Sequence, residues 1–305
     1  MKIAIIGSGV YGLAMANLLN KSGNKVTVWT EKENPKEIIV PDGVTCTHNF
    51  KECLDGAKNV YILTSAKFVS GILDSIKPYI DNEMCIILGS KGILESGAML
   101  EEVLKEKLPN STYAIISGPT FAVDIAHLEP LGFTIATESI NTFKTIKSSF
   151  KGVKIEYSSD TTGVELSGVL KNVYAIGSGM LEGFNYGYSA RCLYLTEVAK
   201  EIKSIFSQIG AKEDTILSLA GIGDLVLTCT SPNSRNYTFG SIVGIGTNDE
   251  RREYLSKTTV EGYDNLKILY KLLKEKSIDA PILKVLYEIV MSDKDSKELV
   301  HLILQ

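Results

Sequence analysis

Short apolar runs alternate with helical patterns along the first half of the chain, as far as about Ser158. The predicted strands are residues 2–7, 25–30, 59–65, 84–89, 113–117, 132–137 and 153–157. Helical patterns separate most of them, at residues 11–21, 67–76, 98–106 and 141–149. This alternation predicts βαβ units in a mainly parallel sheet with helices on both faces. The pattern leaves open whether the last two strands join as antiparallel additions.

The pattern changes after about residue 160, where strand signals nearly vanish and long helical stretches follow. These predicted helices are residues 163–180, 189–209, 262–276 and 282–291. In the second of them the apolar residues recur at helical spacing and predict a stripe that faces the core, formed by Leu193, Val198, Ile202, Ile205 and Ile209. We therefore predict an α/β domain over residues 1–160 and an all-α domain over residues 161–305.

A glycine-rich turn follows the first apolar run, with the sequence Gly7-Ser8-Gly9-Val10-Tyr11-Gly12. An apolar strand precedes it and a helical pattern follows, which is the context that a dinucleotide-binding turn requires. In such a turn Gly7 allows the tight bend, Gly9 allows a pyrophosphate to approach the backbone, and Gly12 allows close helix–strand packing. The N-terminus of the helix favours the phosphate charge. The first domain is therefore predicted to be a Rossmann-type, doubly wound domain that binds a dinucleotide; a purely structural turn is the alternative.

The residue after the second strand distinguishes the two nicotinamide cofactors. Glu31 lies about 20 residues beyond the glycines, where a carboxylate accepts hydrogen bonds from the ribose 2′-OH of NAD and repels the 2′-phosphate of NADP. Lys32 and Lys36 lie close by and partly offset that repulsion. The cofactor is therefore predicted to be NAD or NADP, with NAD favoured.

The amino-acid composition limits the classes of binding partner. The net charge of −4 provides no global attraction for nucleic acid or an anionic membrane. The chain has no unbroken run of about 18 apolar residues and no signal-peptide pattern, so we expect a cytoplasmic protein without a membrane span. The five scattered cysteines form no CxxC pair and the three histidines share no ligand spacing, so no metal site is expected.

One lysine and one asparagine interrupt the apolar helical run of residues 163–173. These are Lys171 and Asn172. Lysine is rarely buried without a partner or a chemical role. Desolvation lowers the pKa of an amine, so a buried lysine exchanges protons closer to neutral pH. Together with the dinucleotide turn, this lysine predicts a dehydrogenase with Lys171 as its proton-transfer residue.

Three further segments are rich in small and polar residues: 88–92, 117–122 and 219–236. Each segment also has a purely structural interpretation. The first can be a solvated turn, and the second can be the start of a helix with Pro119 at its first position. The third can contain a helix that Asp224 caps. Taken together they suit one small phosphorylated polyol. Arg235 offers a planar fork for phosphate oxygens, Ser234 and Asn236 add neutral donors, and Asp224 can orient a hydroxyl or hold an ammonium.

Ordered motifs along nearly the whole chain resemble those of the soluble bacterial NAD(P)-dependent glycerol-3-phosphate dehydrogenases. They are GSGVYG (7–12), SKGI (90–93), SGPTFA (117–122), GVELSGVLKNV (163–173), AGIGDLVLTCTSPNSRN (220–236) and VEG (260–262). The resemblance implies reversible hydride transfer between NAD(P)H and carbon 2 of dihydroxyacetone phosphate, which gives sn-glycerol 3-phosphate for phospholipid synthesis. It also implies a homodimer.

The resemblance assigns roles to individual positions. Lys171 matches the proton donor and acceptor, Lys91 matches a lysine that touches cofactor and substrate, and Asp224 completes the catalytic set. Substrate-binding positions are Lys91, Gly118, Thr120, Lys171, Asn172, Asp224, Thr228, Ser234, Arg235 and Asn236. The cofactor-binding positions that the resemblance assigns are Val10, Tyr11, Lys91, Ala122, Arg235, Thr259 and Glu261. They add to the positions predicted from the glycine turn and the second strand, which are Gly7, Gly9, Gly12 and Glu31.

Two alternatives remain from the sequence. Another two-domain hydroxy-acid or sugar-acid dehydrogenase would carry a carboxylate-binding cluster and would ignore dihydroxyacetone phosphate. A non-catalytic nicotinamide sensor would have little need for Lys171, Asn172, Asp224 and Arg235 together.

Overall fold

In the computed structural model, the described residues, 1–292 and 294–305, form one eight-stranded sheet and fourteen α-helices. The strands are β1 (Lys2–Ile6), β2 (Lys25–Trp29), β3 (Thr45–Thr47), β4 (Asn59–Ile62), β5 (Cys85–Leu88), β6 (Thr112–Ser117), β7 (Gly132–Ala136) and β8 (Lys154–Ser158). The helices are α1 (Val10–Lys21), α2 (Phe50–Leu54), α3 (Ala66–Ile76), α4 (Leu100–Lys107), α5 (Ala122–Ala126), α6 (Ile140–Lys147), α7 (Thr161–Gly183), α8 (Tyr188–Ile209), α9 (Asp224–Thr230), α10 (Arg235–Ile245), α11 (Asn248–Lys257), α12 (Glu261–Glu275), α13 (Pro281–Ser292) and α14 (Glu298–Ile303).

The described chain divides into two compact units. Unit 1 comprises Met1–Leu94 and Ala98–Glu165, and unit 2 comprises Glu95–Gly97 and Leu166–Gln305. Within the described part of the chain, no helix has both the length and the apolar character that a membrane crossing requires.

The sheet of unit 1 has the strand order β3-β2-β1-β4-β5-β6-β7-β8. Strands β1 to β6 are parallel to one another, whereas β7 pairs antiparallel with β6 and β8 pairs parallel with β7. The last two strands therefore run against the others, which is the possibility that the sequence left open. The predicted doubly wound sheet is confirmed, and its order reverses between β1 and β4, where such sheets bind their ligands.

The sequence pattern missed some short elements of unit 1. Strand β3 has three residues at the sheet edge, half-buried or exposed, so it carries no apolar run. Helices α2 and α5 have five residues each, too few to show a helical period. The alternative that Pro119 starts a helix is wrong, because α5 begins at Ala122 after Phe121 as its N-cap residue.

Helix α7 is the core of unit 2, and nearly all of its side chains are buried from Val164 to Leu181. Helix α10 lies close against it: a Cβ at Gly240 would stand 1.9 Å from the carbonyl oxygen of Ile176. This close approach brings the first residues of α10 towards the middle of α7, where Lys171 and Asn172 lie.

The four long helices predicted for unit 2 are present, with ends that differ by at most three residues. The stripe predicted on α8 is correct for Val198, Ile202 and Ile205, which are buried. It is wrong for Leu193, which is 36% exposed. The sequence pattern did not predict four helices of unit 2, because they are short or carry polar residues at their starts. These are α9, α10, α11 and α14.

Candidate active site

The glycine turn of unit 1 has the geometry that its sequence predicts. Gly7 has φ +127°, a conformation that side chains rarely adopt. A Cβ at Gly12 would stand 2.1 Å from the carbonyl oxygen of Gly7, so only glycine lets α1 pack this close to the turn. A Cβ at Gly9 would meet nothing within 4 Å. The turn therefore leaves open space at Gly9, beside the start of α1, where backbone N–H groups favour an anion.

Other predicted positions of unit 1 lie at the same edge of the sheet. Strands β1, β4, β5 and β6 run parallel, so the segments that follow them share one edge. The glycine turn follows β1, Lys91 follows β5, and Gly118 and Thr120 follow β6. A hydrogen bond of 3.1 Å between the hydroxyls of Tyr11 and Thr120 joins the turn to the third segment directly.

Two hydroxyls at this edge have no hydrogen-bond partner among the described residues. They are Thr64 Oγ1, after β4, and Ser117 Oγ, at the end of β6. Buried polar atoms are normally hydrogen-bonded, and an orphaned pair at the edge where such sheets bind ligands fits a polar ligand. Ser117 opens the SGPTFA motif that the sequence analysis singled out, whereas Thr64 stands next to apolar strand residues and was not among the predicted site residues.

The end of β2 is joined to the glycine turn. The hydroxyl of Ser8 donates to Thr30 Oγ1 at 2.9 Å, and Glu31 follows as an exposed residue. Val10, at the first position of α1, is 78% exposed, and Ala122 begins α5. The predicted cofactor residues of unit 1 thus lie along the carboxyl edge of its sheet.

Lys171 and Asp224 form a buried ion pair in unit 2. Lys171 Nζ lies 2.5 Å from Asp224 Oδ1 and donates to Thr228 Oγ1 at 3.1 Å. Lys171 is 8% exposed and Asp224 is fully buried. Removing two charges from water costs more than a single pair usually returns. The pair is therefore weak evidence for stability and points to a chemical role.

The backbone before α9 is irregular, which sets the position of Asp224. Residues Leu219–Gly223 form a π-helical turn, and Gly221 has a non-helical ψ of −106°. The Ser218 hydroxyl accepts from the N–H of Gly221 at 3.1 Å and closes this turn. Single π-helical turns occur frequently at functional sites. The alternative in which Asp224 only caps a helix is wrong, because Gly223 is the N-cap residue and Asp224 faces Lys171.

A second polar cluster begins at Asn172, the residue that follows Lys171 in α7. Asn172 Nδ2 donates to Glu261 Oε2 at 3.1 Å, and Asn236 Nδ2 donates to Asn172 Oδ1 at 2.9 Å. The N–H of Gly262 donates to Asn236 Oδ1 at 2.8 Å. The structure therefore brings Asn172, Asn236 and Glu261 together, although they lie up to 89 residues apart in the chain.

The remaining predicted residues of unit 2 stand at helix starts or in loops. Ser234 is the N-cap residue of α10 and accepts from the N–H of Tyr237 at 3.3 Å. Arg235 is exposed at the first position of α10, and Thr259 is exposed in the loop before α12. Because the first N–H groups of a helix have no acceptor within it, Ser234, Arg235 and Asn236 together suit an anion.

The sequence analysis missed a buried carboxyl group in unit 1, that of Glu165. Glu165 accepts from the N–H groups of Leu100 at 2.7 Å and Glu101 at 3.2 Å. Burial raises the pKa of Glu165 to about 8, and its two accepted hydrogen bonds only partly oppose that rise. The sequence contains an indication of this residue, because Glu165 interrupts the same apolar helical run as Lys171.

The chain is similar over its whole length to proteins of known activity. Residues 2–143 match the family model "NAD-dependent glycerol-3-phosphate dehydrogenase N-terminus", and residues 160–301 match the model for its C-terminus. The chain is 31% identical to the glycerol-3-phosphate dehydrogenase [NAD(P)+] of Mannheimia succiniciproducens, with 97% of this chain and 94% of the relative covered. It is 32% identical to that of Syntrophotalea carbinolica, with 100% and 98% covered. The crystal structure of glycerol-3-phosphate dehydrogenase from Coxiella burnetii superimposes with a TM-score of 0.91 at 28% identity, covering 100% of this chain and 98% of that one.

Proposed function

Because the chain belongs to the NAD(P)-dependent glycerol-3-phosphate dehydrogenase family, we propose that Lys171 is the proton donor and acceptor of that reaction. The observation that carries this role is the buried contact of Lys171 Nζ with Asp224 and Thr228. The enzyme interconverts dihydroxyacetone phosphate and sn-glycerol 3-phosphate, and the nicotinamide supplies or accepts the hydride when it is bound. We place the reaction in phospholipid precursor synthesis.

The proton chemistry follows from charge development on the substrate. As carbon 2 of dihydroxyacetone phosphate is reduced, its carbonyl oxygen gains negative charge and needs an acid within hydrogen-bond reach. The Lys171 ammonium donates that proton and stabilises the charge before it is transferred. Asp224 Oδ1 and Thr228 Oγ1 hold Nζ in place.

We assign substrate phosphate recognition to the start of α10. Arg235 provides a guanidinium fork, and Ser234 and Asn236 flank it at the helix N-terminus. Lys91, Gly118 and Thr120 are proposed as further substrate positions on unit 1, where Thr120 is held by the hydroxyl of Tyr11. Lys91 adds a second positive charge for the developing oxyanion.

The cofactor residues proposed for unit 1 are those along the carboxyl edge of its sheet. Gly9 leaves room for the pyrophosphate beside α1, and Glu31 stands at the end of β2, where the ribose is recognised in Rossmann-type domains. We propose that NAD is preferred over NADP, because the Glu31 carboxylate accepts from a ribose 2′-OH and repels a 2′-phosphate. Arg235, Thr259 and Glu261 are proposed as cofactor positions of unit 2.

The first experiment compares initial rates of NADH and NADPH oxidation with dihydroxyacetone phosphate. We expect turnover with both cofactors and a higher kcat/KM with NADH. A higher kcat/KM with NADPH would be consistent with the proposed reaction but would refute the role of Glu31 in cofactor preference. Cofactor binding without turnover would contradict the assignment and favour another hydroxy-acid dehydrogenase or a sensor, which a panel of hydroxy acids would distinguish.

A further inference from the structure

Three neighbouring parallel strands of unit 1 each lead into a hydroxyl side chain at the carboxyl edge of the sheet. Thr64 follows β4, Ser90 follows β5, and Ser117 is the last residue of β6. The strand register pairs the residues two positions before them with one another. The N–H of Gly89 still donates to the carbonyl oxygen of Ile62 at 3.1 Å, so the ladder continues past the end of β5. Thr64, Ser90 and Ser117 therefore form one row, the hydroxyl row.

Only Ser90 of the hydroxyl row has a hydrogen-bond partner within the part of the chain that the structure describes. Its Oγ donates to the carbonyl oxygen of Ile62 at 3.2 Å. Thr64 Oγ1 and Ser117 Oγ are buried and have no partner among the described residues. A buried hydroxyl without a partner destabilises a fold, because its hydrogen bonds to water are lost and not replaced. Two such atoms in one row indicate that their partner is a molecule other than the chain itself.

The hydroxyl row lies on the nicotinamide side of the proposed cofactor site. A dinucleotide binds across the point where the strand order reverses, which is between β1 and β4. Glu31, after β2, and Gly9, after β1, stand on the adenosine and pyrophosphate side of that point, whereas the row follows β4, β5 and β6. Thr64 lies directly beside the glycine turn, because a Cβ at Gly7 would stand 3.1 Å from its Cγ2 atom. The row therefore starts next to the pyrophosphate turn and leads away from the adenosine side.

From this arrangement we infer that Thr64 and Ser117 bind the nicotinamide riboside half of the cofactor. The ribose hydroxyls and the carboxamide of that half both donate and accept hydrogen bonds, as the hydroxyls of serine and threonine do. Thr64 meets the ligand through a rotation of about 120° about χ1, which moves its hydroxyl to the place of its methyl group beside the glycine turn. The inference rests on the proposed cofactor site of unit 1 and adds two residues to it.

The test measures stability and binding in the same variants. Thr64→Val and Ser117→Ala remove the unpaired hydroxyls and keep nearly the same shape. Without cofactor, the midpoint of urea unfolding should equal or exceed that of the wild type, because a destabilising hydroxyl is gone. The dissociation constant for NADH, from fluorescence titration, should rise about fivefold in each variant and more than about tenfold in the double variant. The dissociation constant for ADP, which lacks the nicotinamide riboside half, should stay within about twofold of the wild-type value by calorimetry.

Thr137→Val provides the matched control, because Thr137 is a buried threonine whose hydroxyl is paired. Its Oγ1 donates to the carbonyl oxygen of Tyr113 at 2.9 Å. Thr137 follows β7, which runs antiparallel to β6, so it lies at the opposite edge of the sheet. This variant should lower the urea midpoint and leave both dissociation constants unchanged. If Thr64→Val does not fold, Ser117→Ala decides the question through the same measurements.

An unchanged dissociation constant for NADH, or an equal loss of affinity for ADP, would overturn the inference. A lower urea midpoint in Thr64→Val would overturn it as well, because the hydroxyl would then have a partner inside the protein. A raised KM for dihydroxyacetone phosphate with unchanged NADH binding would assign the row to the substrate instead and refute the cofactor contact. Failure of the proposed cofactor site is a different result, since the wild-type protein itself would then not bind NADH.

Discussion

Lys171 occupies an environment that few lysines share, since it is 8% exposed and touches the carboxylate of Asp224 and the hydroxyl of Thr228. The same unit contains a useful contrast: Lys257 and Glu253 also lie 2.5 Å apart, but their side chains are 70% and 64% exposed. Exposed pairs contribute little, whereas a buried pair resists separation because either charge alone is costly to bury. Burial therefore distinguishes Lys171 from this exposed lysine.

Replacing Lys171 by alanine should lower kcat by at least about 10²-fold, the lower end of the range for general acid–base catalysis. The affinity for NADH should change much less, because Lys171 is not among the proposed cofactor residues. Steady-state rates with dihydroxyacetone phosphate and fluorescence titration with NADH measure the two effects. Lys257→Ala, which removes the exposed lysine, is the control, and a near-normal kcat in Lys171→Ala would refute the role.

Alanine substitutions at two glycines of the turn should have different effects on stability. A Cβ at Gly12 would collide with Gly7, so Gly12→Ala should lower the free energy of unfolding and weaken NADH binding together. A Cβ at Gly9 meets nothing in the protein and its φ of −71° suits alanine, so Gly9→Ala should leave stability unchanged. It should still weaken NADH binding at least about tenfold, because the methyl group occupies the pyrophosphate position. Urea unfolding and NADH titration separate the effects; tight NADH binding by Gly9→Ala would contradict the proposed site.

At the scale of elements, buried glutamates from other helices accept hydrogen bonds from the first N–H groups of two helices. Glu165 accepts from the first residues of α4, and Glu201 accepts from the N–H groups of Ile282 and Leu283 at the start of α13. Each carboxyl group ties a long helix to the first turn of another helix of its unit. Burial raises the pKa of Glu201 as well, although the hydroxyl of Tyr174 and the two N–H groups oppose that rise.

Glu165 should make the stability of unit 1 depend on pH. Its pKa rises from 4.5 to about 8 on folding, so the folded protein holds a proton that the unfolded chain releases. The stabilising contribution is fully present below pH 4.5 and is lost as the pH rises towards 8. At roughly 1.4 kcal/mol per pH unit, this amounts to on the order of 5 kcal/mol. Urea unfolding of the wild-type protein between pH 5 and pH 9 should show the loss.

Glu165→Gln carries no titratable proton and should flatten the pH dependence of unfolding in that interval. Glu102→Gln is the matched control, because Glu102 is an exposed carboxylate that caps the same end of α4 through the N–H of Met99. It should keep the wild-type dependence. If Glu165→Gln kept it too, another group would be responsible.

At the scale of the whole molecule, we expect a homodimer in solution. Unit 2 exposes large apolar side chains that a monomer has little reason to show, including Leu217 at 74%, Tyr188 at 81% and Leu193 at 36%. Leu193, which the sequence placed in the core, is one of these exposed side chains. Light scattering after size exclusion should give twice the chain mass of 33.3 kDa. A mass of one chain at every concentration tested would refute the expectation.

The amino-acid sequence by itself determined the architecture and singled out the candidate site residues. Short apolar runs indicate strands, and apolar residues that recur every 3.6 positions indicate helices. Both patterns are local in the sequence, so the doubly wound sheet and the long helices of unit 2 were predictable. The glycine turn was predictable because its backbone conformation excludes side chains. Lys171 and Asn172 stood out because polar residues in an apolar helix need a reason to be buried.

Only the tertiary structure decided which of these residues meet. The contacts of Lys171 with Asp224, and of Asn172 with Asn236 and Glu261, join positions 53 to 89 residues apart. No local period encodes such contacts, because they depend on the close packing of α7, α10 and α12 and on the irregular turn before α9. The direction of β7 and β8, the exposure of Leu193 and the raised pKa of Glu165 were decided in the same way. Each depends on neighbours that folding supplies and that the order of residues along the chain does not specify.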